Sequence, residues 1–255
     1  MRVLVVLPTF NEAATIEAVL ERVREALPDA SILVVDDGSP DGTAKIAADV
    51  GERSGNVEVL SRPAKLGLGS AYRDGFAWGL ERGYDAFVEM DSDFSHDPDA
   101  LPRIVAPLAE GYEVCIGSRY IPGGSIPNWS LPRRMLSRGG NIYADLLLGL
   151  GVRDSTAGYR AYAASVLGRI DLRTVRAESY GFQIEMTYRA IKAGARIKEV
   201  PIRFVDRELG TSKMSTYTVV EALGLVTWWG LSRALDQLRH LRKVAGASAA
   251  GSSSR

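Results

Sequence analysis

The feature that most constrains this chain is a mainly apolar run, Ala86 to Met90, that ends abruptly in Asp91-Ser92-Asp93. The run reads as a buried strand. In extended backbone, residues i and i+2 point to the same side. Asp91 and Asp93 therefore leave the strand end together, with Ser95 one step further along. Hard oxygen donors at that spacing suit Mg²⁺ or Mn²⁺, which take few protein oxygens and complete their shell with substrate phosphates. An isolated D-x-D before Asp97-Pro98 is more often a polar turn that opens a helix. The remainder of the chain decides between the two readings.

With 255 residues the chain can build one large α/β domain. Lys+Arg and Asp+Glu both number 31, so no global field attracts nucleic acid and any anion site must be local. The one cysteine, Cys115, sits in an apolar run, which excludes a disulfide framework and a cysteine-based zinc cluster. Two histidines, His96 and His240, argue against a His-centred triad or a His metal site. The apolar start, Val3 to Leu7, stops at Pro8; it is too short for a signal peptide and reads as a first strand. The longest apolar region, Thr218 to Leu231, contains Glu221 and falls short of the ~20 residues that span a bilayer. A cytoplasmic chain, peripheral at the cytoplasmic face of a membrane, is the expectation.

Strands are expected at 2–7, 31–35, 57–60, 86–90 and 112–117, with helices between them at 13–27, 43–50 and 99–110 and one, opened by the 65–69 turn, that carries Tyr72, Phe76 and Trp78. The helix at 13–27 shows an apolar face of Ile16, Val19, Leu20 and Val23. This alternation predicts a mostly parallel sheet covered by helices on both faces. Ligands of such sheets bind at the carboxyl ends of the strands. The loops 8–12, 36–43, 62–69 and 91–97 all fall there. The second half opens with a Gly/Pro-rich stretch, 120–132, which reads as a mobile loop before a helix at 134–150. A turn at 154–158, a strand at 159–163, a helix at 181–193 and a strand at 196–205 follow. Residues 1–215 form one catalytic unit in this reading, 216–244 an amphipathic C-terminal helix, and 245–255 a disordered tail.

Several residues carry two readings. Asp37 could accept from a base or ribose while Asp36 braces the loop, or Asp36-Asp37-Gly38-Ser39 could simply cap the next helix. Glu12 is a first-turn acid or a nucleoside ligand. Gly67 and Gly69 suggest a phosphate cradle, but a lone G-x-G is weak and close backbone packing is favoured. Arg119, Arg133, Arg207 and Lys213 each read singly as solvated charges; four on loops facing one crevice suggest phosphate clamps.

Leu7-Pro8-Thr9-Phe10-Asn11-Glu12, Val35-Asp36-Asp37-Gly38-Ser39, Lys65-Leu66-Gly67-Leu68-Gly69, Asp91-Ser92-Asp93, Gly117-Ser118-Arg119-Tyr120, Phe182-Gln183-Ile184-Glu185-Met186 and Gly210-Thr211-Ser212-Lys213 occur in this order. Over residues 3–215 the chain thereby resembles the polyprenol (dolichyl) phosphate mannose synthases, family-2 glycosyltransferases of the GT-A, Rossmann-like fold. The resemblance implies that Pro8, Phe10, Glu12, Val35 and Asp37 hold the nucleoside of GDP-mannose. It assigns Asp91, Ser92 and Asp93 to the diphosphate and metal, with Ser95 as a third metal position or a water in its place. Arg119, Arg207 and Lys213 match phosphate-binding positions, and Arg133 an acceptor-phosphate arginine. The implied reaction is inverting transfer of mannose from GDP-mannose to a polyprenyl monophosphate, with Mg²⁺ or Mn²⁺, giving a β-mannosyl phosphate. The alternatives are another donor such as UDP-glucose, or a nucleotide-sugar-binding module without catalysis, against which the intact Asp91, Asp93, Arg119 and Lys213 speak.

A lipid acceptor needs an apolar approach. Ile121, Ile126 and Trp129 in the 120–132 loop offer one, and the last helix, with Trp228 and Trp229 ahead of Arg233, Arg239, Arg242 and Lys243, offers another. That helix could equally pack on its own domain. A separate transmembrane protein could recruit the chain.

Overall fold

A computed structural model describes residues 1–205 and 221–235. Its strands are β1 (Val3–Thr9), β2 (Ser31–Asp36), β3 (Val57–Ser61), β4 (Ala86–Glu89), β5 (Val114–Ser118), β6 (Arg160–Ala163) and β7 (Ile197–Pro201). They form one sheet in the order β3-β2-β1-β4-β6-β5-β7. Every pairing is parallel except those of β6, which runs antiparallel to both β4 and β5. The expected mostly parallel sheet is therefore present, with one strand reversed.

That reversal matters for the site. Glu89 pairs with Arg160, so the end of β4 lies beside the start of β6. The turn at 154–158, which precedes β6, is thus brought to the same sheet edge as Asp91 and Asp93. A parallel β6 would have put it at the opposite edge.

The alternation of β1 feeds two cores. Val3, Val5 and Leu7 pack with Ile16, Val19, Leu20 and Val23 of α1 (Ile16–Ala26), together with α2 (Thr43–Ser54). Leu4 and Val6 face the other layer, with Tyr72 and Phe76 of α3 (Leu68–Glu81). Helices cover both faces, as the burial of every β1 position up to Leu7 requires. Cys115 is buried in the first of these cores, and burial pushes its thiol up to about 12.

After α4 (Leu101–Ala109) and β5, helix α5 spans Leu131–Leu148, three residues earlier than expected at its start. The short α6 (Ala164–Arg169) was not anticipated, and α7 covers Ser179–Lys192. Residues 221–235 are helical. Trp229 stacks on Tyr188 of α7 at 6.4 Å, Val226 is buried, and Tyr143 of α5 hydrogen-bonds Thr227. The expected 206–215 loop and the 245–255 tail lie outside the described residues.

Candidate active site

A cleft of about 470 Å³ opens at the carboxyl edge of the sheet. Pro8, Phe10, Glu12 and Asp37 line one end of it, and Asp91, Ser92, Asp93 and Ser95 its middle. Arg119, Arg133 and Thr156 line the other end. Val35 is not among its walls: the side chain is fully buried in the core, and only its backbone register beside Pro8 connects it to the site. Arg207 and Lys213 lie outside the described residues.

The metal-type loop is fastened on both sides. Ser92 Oγ donates to the Pro8 carbonyl at 3.1 Å, and Thr15 Oγ1 donates to the Ser92 carbonyl at 2.9 Å. Ser95 N donates to Asp93 Oδ1 at 3.0 Å, across the left-handed Phe94 (φ 60°) that tightens the turn. Asp91 N donates to His96 Nδ1 at 3.1 Å, which ties the start of the loop to the ring. His96 in turn stacks on Tyr159 at 4.9 Å. It positions the loop. Ser95 Oγ is buried with no hydrogen-bonded partner among the described residues. Two carboxylates and an idle hydroxyl form a hard-oxygen donor set, and they fit a divalent cation whose remaining positions go to phosphate and water. No group of three or more Asp, Glu, His or Cys suited to a metal exists among the described residues.

Asp36 braces as expected, accepting from Thr9 Oγ1 (2.9 Å), Ser39 N (2.8 Å) and Ser39 Oγ (2.6 Å). Asp37 braces too. One of its oxygens takes Arg62 Nε at 2.6 Å and pairs with Arg62 Nη2; the other takes Leu66 N and Gly67 N at 3.1 and 3.3 Å. Those four contacts occupy the four lone-pair sites of a carboxylate. Asp37 thus reaches the cleft as the anchor of the 62–67 turn, with no lone pair idle.

The glycine-rich turn packs closely, as favoured from the sequence. A Cβ on Gly67 would stand 2.7 Å from Glu178 Oε2, and one on Gly69 would stand 2.8 Å from the Ala177 carbonyl. Gly67 N is spent on Asp37 and Ser70 N on Glu178. A carboxylate already sits where a phosphate would go.

Arg119 is held by a partner invisible in the sequence. Arg119 donates from Nε and Nη2 to the two oxygens of Asp154, at 2.8 and 2.7 Å, and from Nη2 to Thr156 Oγ1 at 2.8 Å. Trp129 and Phe204 flank the guanidinium at 5.4 and 5.7 Å. Burial works against its charge, but the field and hydrogen bonds of Asp154 outweigh it and raise the pKa. Arg119 stays charged in an apolar setting. Arg133 lies over the Trp129 ring at 4.1 Å. Trp129 and Ile126 are buried, so the 120–132 loop does not present them as the expected apolar approach. Packing against Phe204 at 5.7 Å withdraws the indole from solvent.

The exposed apolar surface lies elsewhere. On α5, Leu131, Met135, Ile142 and Leu146 are between 54 and 78% exposed; on 221–235 so are Trp228, Leu231 and Leu235. Between the two helices runs an apolar groove of about 70 Å³, which shares Trp129, Thr156 and Tyr180 with the cleft. The reading of the last helix as packing on its own domain holds at Val226 and Trp229, which pack inward, while Trp228 is exposed. Among the described residues no helix is long and apolar enough to cross a membrane.

Beneath the floor Arg160 is fully buried and donates to the carbonyls of Ala157, Ser155 and Gln183. It ties the 154–158 turn to the first turns of α7. Glu89 beside it is buried, and desolvation raises its carboxyl to about 7.

Residues 4–171 match Glycosyl transferase family 2, and the chain belongs to that family. It is 50% identical over 239 residues to an undecaprenyl-phosphate mannosyltransferase of Micrococcus luteus, covering 94% of this chain and 98% of that one. It is 48% identical to a polyprenol monophosphomannose synthase of Mycolicibacterium smegmatis, covering 93 and 90%. Among solved structures it superposes on glucosyl-3-phosphoglycerate synthase of Mycobacterium tuberculosis with a TM-score of 0.64 at 22% identity, over 88% of this chain and 78% of that one. A complex of that enzyme with Mn²⁺ and UDP-glucose gives 0.63 at 25% identity, over 91 and 78%. The fold is the GT-A fold of these glycosyltransferases.

Proposed function

We propose that the protein transfers mannose from GDP-mannose to a polyprenyl monophosphate with inversion, giving a polyprenyl β-mannosyl phosphate. The observation that carries this is the order of parts along one cleft: strand-end loops, a carboxylate pair, two arginines, then an apolar groove. The two mannosyltransferase relatives support the sugar and the lipid phosphate.

Asp91 and Asp93, with Ser95 or a water, would hold Mg²⁺ or Mn²⁺; the Mn²⁺ complex of the structural neighbour supports such an ion. That ion would supply charge to the departing diphosphate. Pro8, Phe10 and Glu12 lie at the nucleoside end. Arg119 and Arg133 present guanidinium groups to the acceptor phosphate, whose oxygen is already anionic and attacks the anomeric carbon without a side-chain base. Orientation and fixed charge then account for catalysis. Arg207 and Lys213 are proposed to close over the donor diphosphate. The exposed faces of α5 and 221–235 would rest on the cytoplasmic side of a membrane, where a separate transmembrane protein could also recruit the chain.

Purified protein with radiolabelled GDP-mannose, Mg²⁺ or Mn²⁺ and a short polyprenyl phosphate should yield label in the lipid phase. UDP-glucose should yield little. Preference for UDP-glucose would overturn the donor, and no lipid product with either would overturn the reading.

A further inference from the structure

Helix α5 carries Arg133 in its first turn and buries few of its residues. Of the 18, only Asn141, Ala144 and Leu148 are fully buried. A Cβ placed on Gly139 or Gly140, just before Asn141, would meet no described atom within 4 Å. Apolar contact is non-directional, so a seat of this kind does little to fix the helix along its axis. Asn141, 3% exposed, supplies the direction. Its Oδ1 accepts from Ser155 N at 2.7 Å and Ser155 Oγ at 2.9 Å. Its Nδ2 donates to the Ser137 carbonyl at 3.0 Å and to Thr156 Oγ1 at 3.1 Å. All four bonds open to the amide are made, and the Ser155 N–H, which can only donate, fixes which way the amide points.

The amide reaches Arg119 through one hydroxyl. Thr156 Oγ1 accepts from Asn141 Nδ2 and from Arg119 Nη2, at 3.1 and 2.8 Å. Both of those atoms can only donate, so the hydroxyl's own hydrogen is left for Asp154 Oδ1 at 3.3 Å. Asp154 takes the backbone N and Nε of Arg119 on one oxygen and Nη2 on the other. Asn141, Thr156, Asp154 and Arg119 thus form one connected chain with each hydrogen assigned. Arg133 stands eight positions before Asn141 on the same helix, about 12 Å along its axis. Both arginines line the cleft. Whatever shifts Asn141 against the 154–158 turn therefore shifts Arg133 against Arg119.

We propose that Asn141 is a positioning residue that holds Arg119 and Arg133 in register for one phosphate group. The proposal rests on the acceptor-phosphate reading above. Guanidinium groups recognise phosphate through bonds of set distance and angle, so their mutual placement matters. A displacement of about 1 Å at such a site is worth about 10²-fold in rate. Asn141 is not among the cleft walls, so it acts only through Thr156 and through the helix it anchors. Its effect should fall on the lipid phosphate and spare GDP, whose end of the cleft is built from other elements.

The test is a double-mutant cycle read in kcat/KM for a short polyprenyl phosphate at saturating GDP-mannose. Asn141→Leu is uncharged; Asn141→Asp keeps both bonds from Ser155 but carries no N–H for Thr156. Each should lower the acceptor value about 10- to 100-fold, with GDP affinity held within about twofold. With Thr156→Val already present, either replacement should cost less, by about fivefold or more, than it costs alone, because the link to Arg119 is already cut. A merely structural Asn141 predicts the same factor in both backgrounds, with GDP affinity falling alongside; either result overturns the assignment. Wild-type acceptor kinetics in both variants overturns it too. If one replacement fails to fold, the cycle is read on the other, since one is apolar and the other keeps the Ser155 bonds. Wild type that transfers nothing to the lipid phosphate defeats the proposed function instead, and that is visible before any variant is made.

Discussion

The two ends of the cleft are built in opposite ways. At the end lined by Pro8, Phe10, Glu12 and Asp37 the walls are strand termini, and the carboxylates of Asp36 and Asp37 are already spent: Asp36 on Thr9 and Ser39, Asp37 on Arg62, Leu66 and Gly67. That end is finished without ligand. At the other end, two helices enclose an apolar groove and turn Met135, Leu146, Trp228 and Leu231 to solvent. A contiguous apolar surface of that kind marks an interaction site. The difference suits a reaction whose two substrates come from different phases, one dissolved and one embedded in lipid.

Where the ends meet, the largest effect is expected. Asp91→Asn or Asp93→Asn should lower turnover by about 10³ or more, while melting temperature barely moves, because an amide oxygen at 93 can still take the Ser95 N–H and Asp91 is tied to His96 through its backbone N–H. Steady-state kinetics with a melting curve checks both; near-normal turnover would remove the metal role of that residue.

The fixed part of the acceptor end comes next. Asp154→Ala leaves Arg119 charged and unpaired in a buried setting, which should cost about 3–5 kcal/mol in denaturant unfolding. Asp154 is fully buried, so solvent cannot compensate. Unfolding within 1 kcal/mol of wild type would mean that water enters the Arg119 cage.

Gly69→Ala probes the nucleoside end. Its new Cβ meets a backbone carbonyl at 2.8 Å and the Phe182 ring at 3.0 Å, and overpacking of this sort should cost about 1–3 kcal/mol. An unchanged unfolding midpoint would show that the 65–69 turn can move, and would blur the contrast between the two ends.

The smallest change in the protein itself is expected on the open face. Met135→Ser with Trp228→Ser should leave stability within about 0.5 kcal/mol per site yet weaken sedimentation with anionic vesicles about tenfold or more. Turnover on a short water-soluble polyprenyl phosphate should survive. Unchanged vesicle binding would assign the face to a protein partner.

Much of this was legible in the sequence where one physical period or one spacing governs. Ile16, Val19, Leu20 and Val23 line one face of a helix and are buried together. The four loops of the first half converge because successive parallel strands end at one edge. The rest depends on contacts with no sequence signature. Four residues, Arg160 to Ala163, carry no sign of strand direction, so the reversal of β6 and the arrival of the 154–158 turn could not be read. The Arg119–Asp154 pair spans 35 positions. Trp129 looked like an exposed anchor because its burial depends on Phe204, 75 residues later in the chain and reached only after β7. Once it is folded inward, α5 supplies the apolar surface in its place.

The central claim is direct attack by a lipid phosphate on a nucleotide-activated mannose. Its most direct measurement is the anomeric configuration of the lipid product made from GDP-mannose labelled with ¹³C at the anomeric carbon, read by NMR from the one-bond C–H coupling. The account predicts a single β-mannosyl phosphate. An α product would require a second displacement and a nucleophile that this cleft has not been assigned, and free mannose in place of a lipid product would contradict the acceptor.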